Sequence, residues 1–216
     1  GYLEEAETYF RFMAGCLESD GYLMHKYRVD GVLGSSWHPW IREGRMLLPI
    51  QEDETALVLY ALGEHYVLGK NISFIESLYN TFIEPASDFL AHYIHDDTGL
   101  PRESYDLWEE KYGTSTYTAA AVYGALMHVS ALSAHLGKRD NALRYKGVAE
   151  RIAKGIHAYL YDPHRGVYHK LIREHDGALH DVDGTIDMSS AHGVRMFGVA
   201  PSHDKRSRDA FMNGVN

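Results

Sequence analysis

A single cysteine in 216 residues, Cys16, excludes any intrachain disulfide, so the core alone must hold the fold. Cys16 lies on the apolar side of a helical pattern, which predicts a buried thiol rather than a nucleophile. No apolar stretch reaches the 18 residues of a membrane-crossing helix, and no signal peptide is visible. A reducing, cytoplasmic setting is the expectation. Basic residues never run to five in a row, and 21 of them face 30 acidic ones for a net charge of -9. That balance argues against nucleic acid and against an anionic membrane surface, and suits a neutral substrate such as a glycan. A phosphate-cradling glycine loop is missing, and the Gly34-Ser35-Ser36 and Ser189-Ser190 runs lack the setting of an activated serine. Histidine is plentiful, yet neither His92/His95 nor His164/His169 joins a third ligand at a recognised metal spacing. No metal or other cofactor is expected.

What the chain has instead is helical periodicity. Leu3, Ala6, Phe10, Met13 and Leu17 form one stripe, which predicts an amphipathic helix over 2–18. Residues 52–69 and 116–136 are apolar nearly all round, as in Ala56 to Leu62 and Ala119 to Met127, and predict buried helices. Stripes return at 73–93, with Ser73 and Glu76 as a capping box and a kink at Pro85, and again at 139–161. A further buried helix is predicted at 187–198 and an amphipathic one at 202–213. After each of three amphipathic helices comes similar punctuation: Asp20-Gly21-Tyr22, Asp97-Thr98-Gly99-Leu100, and Asp162 through Gly166 to Tyr168. The repeat is roughly 65 to 80 residues, longer than the ~33 to 47 of an α-solenoid unit, and its loops are far longer. Buried helices ringed by amphipathic ones predict an all-α fold, part of an α/α toroid, with only short extended pieces in the loops.

Each long loop joins an outer helix to an inner one, so the three share a rim. The first carries Trp37, His38, Trp40 and Gln51-Glu52-Asp53. The second carries Glu103 and Tyr105-Asp106-Leu107-Trp108-Glu109-Glu110, and the third Asp181, Asp183 and Asp187. Every tryptophan of the chain falls in these loops and none on a helix stripe. Aromatic faces stack on sugar rings while carboxylates and amides take hydroxyls, so the pattern suits glycan binding. Clustered carboxylates raise one another's pKa, and glycoside hydrolysis needs one carboxyl that keeps its proton. The simpler readings are an acidic first turn that complements a helix dipole, and tryptophans packed over helix ends.

The run Ser104 to Glu110, followed by Gly113 and Thr118, resembles the catalytic-acid segment of glycoside hydrolase family 15, the glucoamylases with their glucodextranase and trehalase relatives. Ser36-Trp37, the stretch Leu48 to Leu57, and Val182 to Asp187 resemble its prokaryotic branch. The similarity spans about residues 1 to 213. It implies the (α/α)6 toroid, with Glu109 as general acid, Glu110 contacting substrate hydroxyls, Trp108 and Trp37 shaping the sugar subsites, and Asp106 supporting the acid. Gln51 and Asp53 complete the implied substrate-binding set. An inverting mechanism is implied too, its second carboxylate about 6.5 to 9.5 Å away to leave room for water.

In the family that base lies in the second half of the toroid. The chain opens at Gly1 within a helical pattern and stops at Asn216, so it is expected to be roughly half of one catalytic domain, carrying the acid and lacking the base. The expected activity of the parent is release of β-glucose from non-reducing ends of α-glucans. An α,α-trehalase of the same family and a non-catalytic glycan-binding fragment are the alternatives. A half ring should also bare the apolar faces of 57–62, 119–126 and 188–198, inviting a homo-oligomer through the toroid edges.

Overall fold

The computed structural model describes residues 1–35, 38–42, 44–175 and 178–214, with only the backbone given at 42, 174, 175 and 178–181. Trp37 therefore lies outside the described residues, and the side chain of Asp181 does too. Among the described residues the chain is predominantly helical. Helix α1 covers Tyr2–Cys16, α2 Glu52–Gly69, α3 Ile72–Leu78, α4 Glu84–His92, α5 Thr116–His135, α6 Arg139–Gly155, α7 Met188–Met196 and α8 Lys205–Gly214.

Two departures from the expected boundaries have local causes. Asn71, not Ser73, caps α3: its side chain accepts a hydrogen bond from the Phe74 N–H at 3.2 Å, leaving Ser73 inside the first turn. Just before Pro85, where a kink is expected, a π turn, Tyr79–Ile83, joins α3 to α4. The Glu84 N–H reaches back to the Tyr79 carbonyl there, and Pro85 enters the first turn of α4, where its missing N–H is not needed. A second π turn, Ile156–Leu160, prolongs α6.

The predicted alternation of helix types is realised as two layers. Helix α5 packs between α2 and α7, and α6 covers its outer side, while α1 lies on α2 and α8 on α7. Glycines let the inner row close up. A side chain at Gly63 would run into His128 of α5, at 2.4 Å, and one at Gly124 into Phe197, at 2.9 Å. Ala119, Ala120, Ala121, Val122, Ala125 and Leu126 are fully buried. The expectation that 119–126 would lie bare is thus corrected: α5 is the middle of the inner row and has neighbours on all sides. Apolar exposure falls instead on α1, at Tyr2, Leu3 and Tyr9, on the far end of α2 at Val67 and Leu68, and at Met196 of α7.

The loops hold more β structure than the periodicity predicts. Strands β1 (Ile41–Arg42) and β2 (Arg45–Met46) form a small hairpin, as do β5 (Tyr161–Asp162) and β6 (Val167–Tyr168). Strands β3 (Ser104–Tyr105), β4 (Tyr112–Ser115), β7 (Leu171–His175) and β8 (Ala178–Asp183) build one antiparallel sheet in the order β3-β4-β7-β8. The sheet stitches the second loop to the third, with Thr114 opposite Ile172 and Ser115 opposite Leu171. Gly113 makes that pairing possible, since a Cβ there would sit 2.8 Å from the Ile172 carbonyl oxygen.

Candidate active site

The acidic run Asp106 to Glu110 is the turn of the β3-β4 hairpin, and β4 separates it from α5. It is therefore not the first turn of a helix, which removes the helix-dipole reading. Asp106 builds the turn. Its N–H donates to the Lys111 carbonyl at 2.8 Å, and its carboxylate Oδ1 accepts from the Glu110 and Lys111 N–H groups at 2.8 and 2.9 Å. The Glu109 N–H donates to the Asp106 carbonyl at 2.8 Å. So tight a turn forces Glu109 into the left-handed region, at φ 57°, a conformation costing a side-chain-bearing residue on the order of 1 kcal/mol.

On one side of the turn a buried cation gathers acids from two loops. Lys170 Nζ lies 3.1 Å from Asp106 Oδ2, 2.9 Å from Glu110 Oε2 and 3.8 Å from Asp187 Oδ2. Burial disfavours the ammonium, but the hydrogen bonds to Glu110 and Asp106 outweigh it and hold the Lys170 pKa above its usual value. Trp108 donates its indole N–H to Asp187 Oδ2 at 2.8 Å, yet its side chain remains 59% exposed. Burial works to raise Asp187, but hydrogen bonds from Ser189 and Trp108 and the charge of Lys170 keep its carboxyl below the ordinary range. Lys111 pairs with Asp183, which is strongly lowered for the same kind of reason.

The other side is built differently. Glu109 has one carboxylate oxygen 3.6 Å from His25 Nε2, while the other, Oε2, is buried with no hydrogen-bond partner. His25 Nδ1 meets Glu54 Oε1 at 2.6 Å. Burial, then the charges of Asp53 and Glu109, push the Glu54 carboxyl up to about 8. His38 stacks flat on Tyr105, ring centroids 4.2 Å apart and planes within 5°, and tilts against His25 at 4.7 Å. Its pKa is lowered, first by burial and then by His25. Donor atoms of His25, His38 and Glu109 all fall within 4.8 Å of one another.

The start of α2 forms the floor. Gln51 is buried with its amide 3.5 Å from His38 Nε2. Asp53 is 1% exposed and accepts a 3.0 Å hydrogen bond from Thr118 Oγ1, which in turn accepts from Ser115, the cap of α5. Burial raises the Asp53 carboxyl to about 6, against the lowering effect of Thr118. Glu52 is wholly buried, neither carboxyl oxygen has a hydrogen-bond partner, and burial with the neighbouring Asp53 drives its pKa well up. A groove of about 980 Å³ between α1 and α2 reaches this region, with His25 and Glu54 among its lining residues.

Residues of all three loops thus meet around one short turn. The model of the glycosyl hydrolases family 15 matches residues 47–211, a span that includes the acid turn and the starts of the inner helices α2, α5 and α7. The chain belongs to glycosyl hydrolase family 15. Among its relatives is an uncharacterised glycosyl hydrolase of Methanocaldococcus jannaschii, 31% identical over 134 residues, which make up 62% of this chain and 19% of that protein. A bacterial glucoamylase complexed with acarbose superposes with a TM-score of 0.66 at 16% identity, over 94% of this chain and 29% of the glucoamylase. A further solved glycosidase gives a TM-score of 0.68 at 21% identity, over 96% of this chain and 52% of its own. At these identities the structural matches establish the shared α/α-toroid fold, of which this chain is a part. The chain spans less than a fifth of the M. jannaschii family relative and under a third of the glucoamylase.

Of the family-15 residues named from the sequence, Asp106, Trp108, Glu109 and Glu110 share the turn, and Gln51 and Asp53 lie buried beside it. Lys170, His25 and Glu54 were not singled out. Their separations from Glu109 along the chain are too large for any spacing rule, and only the folded loops reveal them.

Proposed function

We propose that this chain is the acid-bearing part of an inverting, exo-acting glucosidase that releases β-glucose from the non-reducing ends of α-glucans. Glu109 donates the proton to the departing glycosidic oxygen. The observation that carries this reading is the buried, unpartnered Oε2 of Glu109 at the meeting point of three loops. A carboxyl oxygen left without a protein partner is free to address a substrate atom. Trp108, exposed beside it, offers a face for sugar stacking, and Glu110 takes hydroxyls at the rim. Asp106 acts through the turn it builds.

The base that activates water lies elsewhere in the parent protein. Asp53 is buried against Thr118 and Asp183 is paired with Lys111, so neither is free to take that part. Similarity of fold to a glucoamylase seen with acarbose supports an α-glucan substrate. Buried Cys16, the lone thiol, suits a cytoplasmic protein.

Assay of the full-length protein on maltotetraose, trehalose and dextran, with the first-formed anomer read by proton NMR, tests the proposal. β-Glucose from maltotetraose is expected. α-Glucose would overturn inversion, turnover of trehalose alone would make the protein an α,α-trehalase, and glycan binding without hydrolysis of any of the three would make it a non-catalytic binder.

A further inference from the structure

Two histidines and the acid converge in a way that glycoside hydrolysis does not require. We propose that His25, His38 and Glu109 form a binding site for a divalent transition metal of the zinc class, and that the bound ion blocks the proton-donating carboxylate. Their donor atoms lie within 4.8 Å of one another, and His25 Nε2 is 3.6 Å from Glu109 Oε1. Ligand atoms around a tetrahedral zinc at ~2.0 to 2.2 Å are roughly 3.4 Å apart, so a separation at the 4.8 Å limit has to close by about 1.4 Å. The donor set is two imidazoles and one carboxylate, with room for water as the fourth ligand. It favours zinc, copper or nickel over calcium or magnesium, which prefer all-oxygen shells.

The surroundings hold the rings as a metal site needs them. Glu54 Oε1 meets His25 Nδ1 at 2.6 Å, which anchors the ring while its Nε2 lies 3.6 Å from Glu109 Oε1. Stacking on Tyr105 fixes the plane of His38. Neither histidine takes part in the reaction proposed above. The metal site stands on this geometry alone, and only its effect on turnover rests on the role given to Glu109.

Zn²⁺ titrated into the chelator-treated full-length protein by calorimetry at neutral pH should bind with one ion per chain, in the micromolar range or tighter. X-ray absorption of that complex should show two imidazole nitrogens with oxygen ligands and no sulfur. Glu109→Gln, on an accessible turn, and His25→Gln should each weaken binding at least about tenfold, and Glu54→Gln, which only frees the His25 ring, about tenfold. Zn²⁺ should inhibit turnover of the unaltered protein, with full recovery on chelation. Absence of stoichiometric binding, a thiolate or all-oxygen shell, or binding indifferent to both Glu109→Gln and His25→Gln would each overturn the site. Zinc binding at these residues with undiminished turnover would overturn the blocking role. If Glu109→Gln binds zinc poorly yet hydrolyses normally, the metal site stands and the acid assignment falls.

Discussion

Asp106 and Glu109 stand three residues apart on one turn and live in opposite electrostatic worlds. Asp106 is 2% exposed, accepts two backbone hydrogen bonds and faces an ammonium 3.1 Å away. Among the described residues Glu109 has no cation at contact distance except a histidine that already leans on another carboxyl, and one of its oxygens has no hydrogen-bond partner. A carboxylate tied to two backbone N–H groups and an ammonium holds a loop in place, whereas one without those ties is left to act on something else. The difference separates the residue that shapes the turn from the one that the turn presents.

The most forceful way to break that comparison is Glu109→Gln in the full-length protein. It removes the transferable proton and keeps the shape, so kcat on a poor leaving group such as maltose should fall about 10² to 10⁴-fold with the melting temperature nearly unchanged. Turnover at the unaltered rate would sink the role assigned to Glu109.

Lys170→Met attacks the opposite side. It strands the buried carboxylate of Asp106, and removing one partner of a buried pair costs about 3–5 kcal/mol. A large drop in melting temperature is expected. A change under 1 °C would mean that the turn does not depend on its cation.

Asp53→Asn sharpens the comparison through pH. Burial lifts the Asp53 carboxyl from 3.8 to about 6 in the folded protein. A raised carboxyl contributes stability in full below the unfolded pKa and loses it as pH rises through the folded value. Between those limits the loss is on the order of 3 kcal/mol, and Asn, which still accepts from Thr118, should flatten it. Melting curves from acid to neutral pH would show equal slopes in both proteins if Asp53 carried no such linkage.

The smallest effect expected comes from Glu109→Gly. Glycine adopts the left-handed conformation without penalty, so the inactive variant should be more stable by about 0.5–1 kcal/mol. A less stable variant would argue that the carboxylate contributes to holding the turn.

Much of this architecture can be read directly from residue order. The α2 helix begins and ends at the predicted residues 52 and 69, and α5 differs by one residue at its end, because burial on all sides leaves a signature no loop imitates. The acid turn is legible as a motif. The sheet is not: β3 has two residues and β4 four, and Leu171 and Ile172, side by side, are both buried, so no alternation announces a strand. The Asp176-Gly177 pair, a strong hairpin signal in sequence, was the available clue to β7 and β8. His25, Glu54 and Lys170 are invisible in sequence for another reason. Each acts on the turn from a distant segment, and no local pattern encodes which loop will come to rest against which.

Lys170 also sets which parts of the rim move together. One ammonium contacts carboxylates from both the second and third loops, and the sheet pairing of Thr114 with Ile172 lies just behind it. In hydrogen-exchange terms the two loops should behave as a single opening unit. The amides of Glu110 and Lys111, tied to Asp106, and that of Ser189, tied to Asp187, should exchange with one common protection factor. The first loop, which meets the turn through His25 and shares none of those ion pairs, should open on a schedule of its own.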